Sequence, residues 1–307
     1  YYTDRQGVPV AIDITEQELR DNFQDDIEEM ARRNDTSPEE MAAKLQEMYD
    51  GYHFSKNSPG IYNPFSLLNA FSAKELGSYW FATGTPTYLV QLMKQHDFDI
   101  RELEGTEAAA DEIMNVESMS DNPVPVLYQS GYLTIKGYDP EFGIYTLGLP
   151  NKEVKRGLLN FLLPHYSGIK NESPTFAVAS FVKDARNGRV DSFVNRLKSF
   201  LATIPNEQIV NYELHYENVI FILTSLAGLY VKTEYRTGTG RIDMVIQTDK
   251  YYYIIEFKLN GTAEEAIAQI NRKDYALPFA MDNRKIYKIG IQFSKETRNI
   301  DRWIVEE

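Results

Sequence analysis

The chain contains no cysteine, which excludes disulfides, thiolate metal sites and a cysteine nucleophile. Its four histidines, His53, His96, His165 and His215, are scattered and lack metal-ligand spacing, so a histidine-built metal centre is not expected. No apolar run approaches the ~18 residues of a membrane span, and no signal-peptide pattern opens the chain. A cytoplasmic protein is therefore the expectation. No G-x-x-x-x-G-K-[ST] phosphate loop occurs. Gly238-Thr239-Gly240 links two predicted strands and opens no helix, so it reads as a tight turn. There is no internal repeat and no low-complexity tract. Basic residues are also in short supply, 32 against 45 acidic, and the net charge of −13 argues against a generally basic nucleic-acid binder.

What is present suffices for two ordinary cores: 307 residues, 43% of them apolar. The start at Tyr1, without methionine, leads us to expect a fragment of a longer protein. The charge is uneven. Residues 205–307 hold 15 acidic and 13 basic side chains, a net of −2, so the preceding residues hold −11.

Along the chain, residues 14–50 read as two acidic helices. Thr15 and Glu18 suit a capping box, and Ser37-Pro38 suits a second start. Met41, Leu45 and Met48 recur at helical spacing. An aromatic- and turn-rich segment, residues 49–65, is read as core or interface filler, with base stacking the rarer use. Helices are expected from about Pro64 to Phe71 and after Thr85-Pro86, then helix plus loop over 97–123. Residues 126–135 and 144–150 read as two strands of a hairpin. Asn151 caps a helix through Leu163, giving a winged-helix-like order, and residues 175–203 are helical again. The C-terminal part reads helix, three strands, helix, strand, with helices at 212–229 and 263–275 and strands at 230–235, 241–247, 252–259 and 285–294. The expected class is α/β, a sandwich with a mixed sheet, and a domain division is expected at 172/173.

The densest signal is residues 240–261, GRIDMVIQTDKYYYIIEFKLNG. Two β-rich runs flank Thr248-Asp249-Lys250. Alternation puts Glu256 and Lys258 on one face and Ile255, Phe257 and Leu259 on the other. Closure near Asp249 brings Asp243 close to Glu256. Two carboxylates and an ammonium on a largely apolar hairpin are costly unless something pairs with them. A divalent metal relieves the repulsion and a phosphate pairs with the lysine. Mg²⁺ needs only one or two carboxylates plus waters and a substrate phosphate.

Asp243…Glu256-Phe257-Lys258 resembles the D…(D/E)-x-K core of the PD-(D/E)XK nuclease superfamily, with Gly240-Arg241 before it and a helix bearing Gln269 and Tyr275 after it. The resemblance implies a restriction-endonuclease-like domain over 173–307. It implies Mg²⁺ or Mn²⁺ held by Asp243 and Glu256, catalysis by Lys258 with Gln269, and nucleic acid, expected to be DNA, as substrate. Arg241, Lys258, Gln269 and Tyr275 then contact substrate. The superfamily often adds an acid from the first helix, here Glu213, within Tyr212-Glu213-Leu214-His215-Tyr216, or Glu217 one turn on. The alternative for those acids is a solvated helix face, and for Gln269 an exposed amide. Further upstream, YDGYHFS, YNPFSLLNAF, YWFATGTPTYL and LYQSGYLTI…YTLGLPNKEV resemble the region that follows the ATPase core in an AAA-ATPase-like bacterial family. That implies residues 1–172 as a helical, winged-helix-like region and an upstream ATPase domain as partner, with homo-oligomers allowed for. Three readings stay open: a metal-dependent nuclease, a catalytically silent nuclease-fold module serving binding or regulation, and the effector half of an ATP-driven assembly protein.

Overall fold

The computed structural model describes all residues except 1, 4–8, 11–13, 84–86, 115–121, 168–173, 205–210, 227–229 and 238–239. The chain forms two compact units, Tyr1–Phe98 with Glu102–Leu158, and Leu159–Glu307 with Asp99–Arg101. The division expected at 172/173 and the turn at Gly238-Thr239 lie outside the described residues. Among the described residues, no helix is long and apolar enough to cross a membrane.

Unit one contains helices α1 (Glu16–Asn22), α2 (Gln24–Arg33), α3 (Pro38–Tyr49), α4 (Pro64–Ala73), α5 (Thr87–Gln95), α6 (Ala110–Met114) and α7 (Pro123–Gln129), and the first half of α8 (Lys152–Ser167). Its strands are β1 (Tyr2–Thr3) paired with β2 (Pro9–Val10), β3 (Ile14–Thr15) paired with β4 (Ile61–Tyr62), and an antiparallel sheet of order β5 (Glu104–Ala109), β7 (Ile144–Gly148), β6 (Thr134–Asp139). The capping box forms as the sequence predicts. Thr15 Oγ1 accepts from the Glu18 N–H at 3.3 Å while Glu18 Oε2 accepts from the Thr15 N–H at 2.9 Å. Met41, Leu45 and Met48 enter the core, together with Tyr49 and Tyr62 from the aromatic-rich segment. Other aromatics of that segment, Tyr52, His53 and Phe54, line a cavity of about 450 Å³.

Four expectations for unit one need correction. Residues 14–50 form three helices, because the chain breaks at Phe23, which closes α1 and opens α2. The predicted hairpin forms, β6 against β7, but its first strand starts only at Thr134, and residues 126–129 are helical. Asn122 accepts from the Val124 N–H at 2.9 Å, Pro123 takes the first helical position, and α7 runs to Gln129 before β6 begins at Thr134. The Asn-Pro start outweighs the β-branched valines. Residues 104–109, EGTEAA, have little strand propensity yet form β5, because pairing with β7 supplies the partner that local preference does not. The helix opened by Asn151 continues past Leu163 to Ser167, through Pro164.

Unit two is built on a five-stranded mixed sheet: β8 (Tyr230–Thr237), β9 (Gly240–Gln247), β10 (Tyr251–Lys258), β11 (Lys285–Ser294) and β12 (Asn299–Glu306), in spatial order β12-β11-β10-β9-β8. Only β10 and β11 are parallel, joined by α12 (Ala263–Arg272); the other neighbours are antiparallel. The final strand β12 is absent from the order read off the sequence. The stretch 175–203 is two helices, α9 (Pro174–Arg186) and α10 (Val190–Leu201), broken at Gly188, which adopts φ +68°. With α11 (Tyr212–Leu226) they cover one sheet face: Tyr253 donates to the Ala185 carbonyl at 2.5 Å, and Tyr216 stacks on Phe293 with centroids 5.0 Å apart. On the other face, Ile267 and Ile270 of α12, with Tyr275, pack on Ile242, Val245, Tyr252 and Ile254.

Alternation along β10 therefore sends Tyr253, Ile255 and Phe257 toward α9–α11, and Tyr252, Ile254, Glu256 and Lys258 toward α12. The approach of α12 is close because β11 carries Gly290, paired with Glu256. A β-carbon there would meet the Ala263 carbonyl at 2.5 Å and Ile267 at 2.9 Å. Gly290→Val should overpack this contact and cost about 2–3 kcal/mol, lowering the melting temperature by roughly 5–10 °C. Calorimetry showing an unchanged melting temperature would mean that α12 does not pack this tightly.

Candidate active site

The β9–β10 ladder runs from the Thr248 turn to the pair Met244–Ile255. One step further, Asp243 and Glu256 come opposite each other in the continued register. There the backbone pairing gives way to a side chain: Asp243 Oδ2 accepts from the Phe257 N–H at 2.9 Å. Asp243 and Glu256 thus share the α12 face of the sheet, as alternation predicts. Burial pushes the Asp243 carboxyl upward, opposed first by the Phe257 N–H and then by the charges of Lys258, Arg101 and Arg241.

Glu256 is 2% exposed. Its Oε1 accepts from Lys258 Nζ at 3.0 Å and from the Gln269 amide, while Gln269 Oε1 accepts from the same ammonium at 2.8 Å. The three side chains close a ring. Gln269 is aimed into it by the start of α12, where Thr262 and Glu265 form a reciprocal capping box a few residues beyond Lys258. Burial, followed by the Asp243 charge, pushes the Glu256 carboxyl up to about 7, with Lys258 opposing. The second oxygen, Oε2, is buried and has no hydrogen-bond partner. A buried carboxylate oxygen left unpaired is costly.

The remaining sequence-predicted residues occupy different positions. Tyr275 is buried and donates to the Arg241 carbonyl at 2.7 Å, fixing the start of β9, while the Arg241 side chain is exposed. Glu217 on α11 pairs with Arg101 Nη2 at 2.9 Å. The Glu213 side chain lies outside the described residues. Arg101 and Asp99 were not singled out in the sequence, and no local motif marks them. They reach this unit only because residues 99–101 fold into it.

The donor set fits a hard divalent cation. Two carboxylates converge, one with an orphaned oxygen, and no group of three or more His, Cys, Asp or Glu assembles among the described residues. Such an ion completes its shell with waters and a phosphate, as Mg²⁺ or Mn²⁺ does.

Residues 211–303 match the family model of the PD-(D/E)XK nuclease superfamily. The match runs from α11 into β12 and contains Asp243, Glu256, Lys258 and Gln269. Proteins of that superfamily are typically nucleases that use divalent metals. A curated relative, described as an uncharacterized protein in the vnfD 5′ region of Azotobacter chroococcum mcd 1, is 30% identical over 278 residues, 86% of this chain and 52% of the relative. The chain thus spans about half the length of the curated relative it matches. No solved structure matches.

The raised Glu256 carboxyl carries a sign. Its proton is held more tightly in the folded chain than at its ordinary value near 4.5. The stability it contributes is complete below that value and is lost as pH rises through about 7. Without divalent ions, the melting temperature should therefore fall between pH 5 and pH 8. Glu256→Gln should remove that component and melt roughly 3 °C higher at pH 8, equivalent to ~1 kcal/mol. Scanning fluorimetry in chelator reads both. A variant retaining the full parental pH slope would place the titration elsewhere.

Proposed function

We propose that unit two hydrolyses phosphodiester bonds in nucleic acid, with DNA as the substrate class and Mg²⁺ or Mn²⁺ as cofactor. The observation that carries this reading is the orphaned, buried Glu256 oxygen beside the Asp243 carboxylate, with an ammonium on the same face. Asp243 and Glu256 would hold the ion. When bound, it supplies Lewis acidity toward a phosphoryl oxygen and a water of lowered pKa.

The chain's own groups do the rest. The Phe257 N–H at Asp243 and Lys258 at both carboxyls oppose the burial that favours their protonated forms. Gln269 holds the Lys258 ammonium from its second side, so that it presents a fixed positive charge to a phosphate and requires little reorganisation as charge develops there. The near-neutral balance of residues 205–307 lets a polyanion approach this unit where the rest of the chain would repel it. We also propose that an upstream ATPase region drives the activity in the whole protein. The resemblance of the motifs in residues 49–154 is what supports this, and the matched relative is about twice as long as the segment it shares with this chain.

Plasmid cleavage by the chain should require Mg²⁺ or Mn²⁺ and vanish in EDTA. Lys258→Ala should bind Mn²⁺ yet lose about 10²-fold in turnover, as loss of a charge-stabilising contact does. Gln269→Ala should lose less, chiefly in substrate binding. Cleavage undiminished in EDTA, or Lys258→Ala cutting at the parental rate, would overturn the assignment. A parent that cuts nothing even with its ATPase half restored would leave a silent binding module.

A further inference from the structure

Unit one holds a cavity of about 450 Å³ whose walls are aromatic and whose lining carries no carboxylate, ammonium or guanidinium. Tyr52, Phe54, Trp80 and Tyr128 bring rings to it. Gly131 sits between two of them: a β-carbon there would lie 3.6 Å from Trp80 and 3.8 Å from Tyr52. The walls are fixed from behind. The Tyr52 N–H and carbonyl pair with Ile61 at 3.2 and 3.0 Å, and its hydroxyl donates to the Gly131 carbonyl at 3.3 Å. The Trp80 N–H donates to Glu153 Oε1 at 3.0 Å, and its ring meets Tyr132 edge-on with centroids 4.8 Å apart. Phe54 lines the cavity yet is 64% exposed, which puts it at the mouth.

The polar groups of the lining are as informative as its rings. The His53 N–H donates to Thr134 Oγ1 at 2.7 Å, and that hydroxyl donates back to the His53 carbonyl at 3.1 Å, so a buried threonine of β6 clamps the histidine backbone. His53 Nδ1 lies 2.9 Å from the Ser58 carbonyl oxygen, which can only accept. Nδ1 therefore carries the proton, and the neutral ring is left with Nε2 as an acceptor. Gln129 donates through Nε2 to the Ile113 carbonyl at 3.3 Å, which leaves its Oε1 as a second acceptor. Both residues line the cavity, and neither His53 Nε2 nor Gln129 Oε1 has a hydrogen-bond partner among the described residues.

We propose that this cavity binds an amino-bearing purine base, presented either by a free nucleoside or by a base turned out of a single strand. Its volume is that of a small-molecule site, and its rings offer stacking faces to a flat heterocycle. Two lone-pair acceptors select a ring with N–H donors at its edge, such as the exocyclic amine of adenine. An aromatic side chain of a partner protein would use the walls but at most one acceptor. The uncharged lining keeps phosphate outside, since nothing there would pair with it and residues 1–204 hold a net −11. Segment 49–65 then serves both uses: Tyr49 fills the core, while Tyr52 and Phe54 are left to stack. The inference uses no residue of unit two and stands apart from the metal-dependent reading.

The test titrates the full 307-residue chain with adenosine. Calorimetry on the unaltered chain should give one site with a Kd of about 0.1 mM, as expected for a ligand of this size. The chain has two tryptophans, so Trp303→Phe leaves Trp80 as the reporter, and its fluorescence should be quenched over the same range. Purine riboside, which lacks the amine, should bind about five- to tenfold more weakly. His53→Phe keeps a ring and removes an acceptor. It should weaken adenosine by a similar factor and leave purine riboside unchanged, a loss that misfolding would not confine to one ligand. Gln129→Leu, at an exposed position, reads the second acceptor in the same way. A short oligodeoxyadenylate that binds at least as tightly as adenosine would identify a strand as the source, and adenosine binding alone would identify a free nucleoside; both support the site. Adenosine that fails to bind up to its solubility limit, or binds without quenching Trp80, would overturn it. So would N-acetyltryptophanamide binding where adenosine does not, which would mark a peptide pocket. The same holds if His53→Phe and Gln129→Leu both keep the full preference for the amine.

Discussion

Where the β9–β10 ladder stops, a carboxylate takes the place of a carbonyl. Asp243 accepts the Phe257 N–H that backbone pairing would otherwise use. That substitution does two things. It satisfies a backbone donor at the splayed end of the hairpin. It also holds an anion on the same sheet face as Glu256, in a place dry enough for the two charges to repel strongly. Lys258, held by Gln269, answers that repulsion directly, and the charges of Arg101 and Arg241 also bear on Asp243. The arrangement leaves one buried oxygen of Glu256 without a hydrogen-bond partner.

The face that carries Asp243, Glu256 and Lys258 was readable because strand alternation is a strict rule. Once Thr248-Asp249-Lys250 is taken as the turn, the faces of Asp243, Glu256 and Lys258 follow from counting, and the structure places them on the α12 face. The helix starts at Thr15, Ser37 and Asn151 were readable for the same reason, since a cap is a local hydrogen bond between residues three apart. Gln269 was readable as a candidate but not as a member of a ring with Glu256 and Lys258, because that requires knowing how closely α12 approaches.

The misses share a different physics. Strand β5 has a sequence that no propensity scale favours, and it exists because β7 offers an unpaired edge. Strand β12 likewise depends on β11. Residues 126–135 misled because valine is ambiguous, whereas Asn122-Pro123 is not. Arg101 was invisible in a stronger sense. Its partner Glu217 lies on a helix far along the chain, and the neighbouring Ile100–Asn218 bond spans 118 positions. Nothing local encodes a contact of that kind.

That three-residue insertion also bears on how this domain can be inherited and cut. A piece of chain beginning at residue 159, or at the matched boundary of 211, would hold every residue of the recognisable motif and still lack Asp99–Arg101. The unit is contiguous in space but not in the gene. Recombination that moved the motif alone into another protein would deliver the hairpin and α12 without the Ile100–Asn218 and Arg101–Glu217 contacts that fasten residues 99–101 to α11. The selection that keeps the two units in one reading frame can therefore act through three residues.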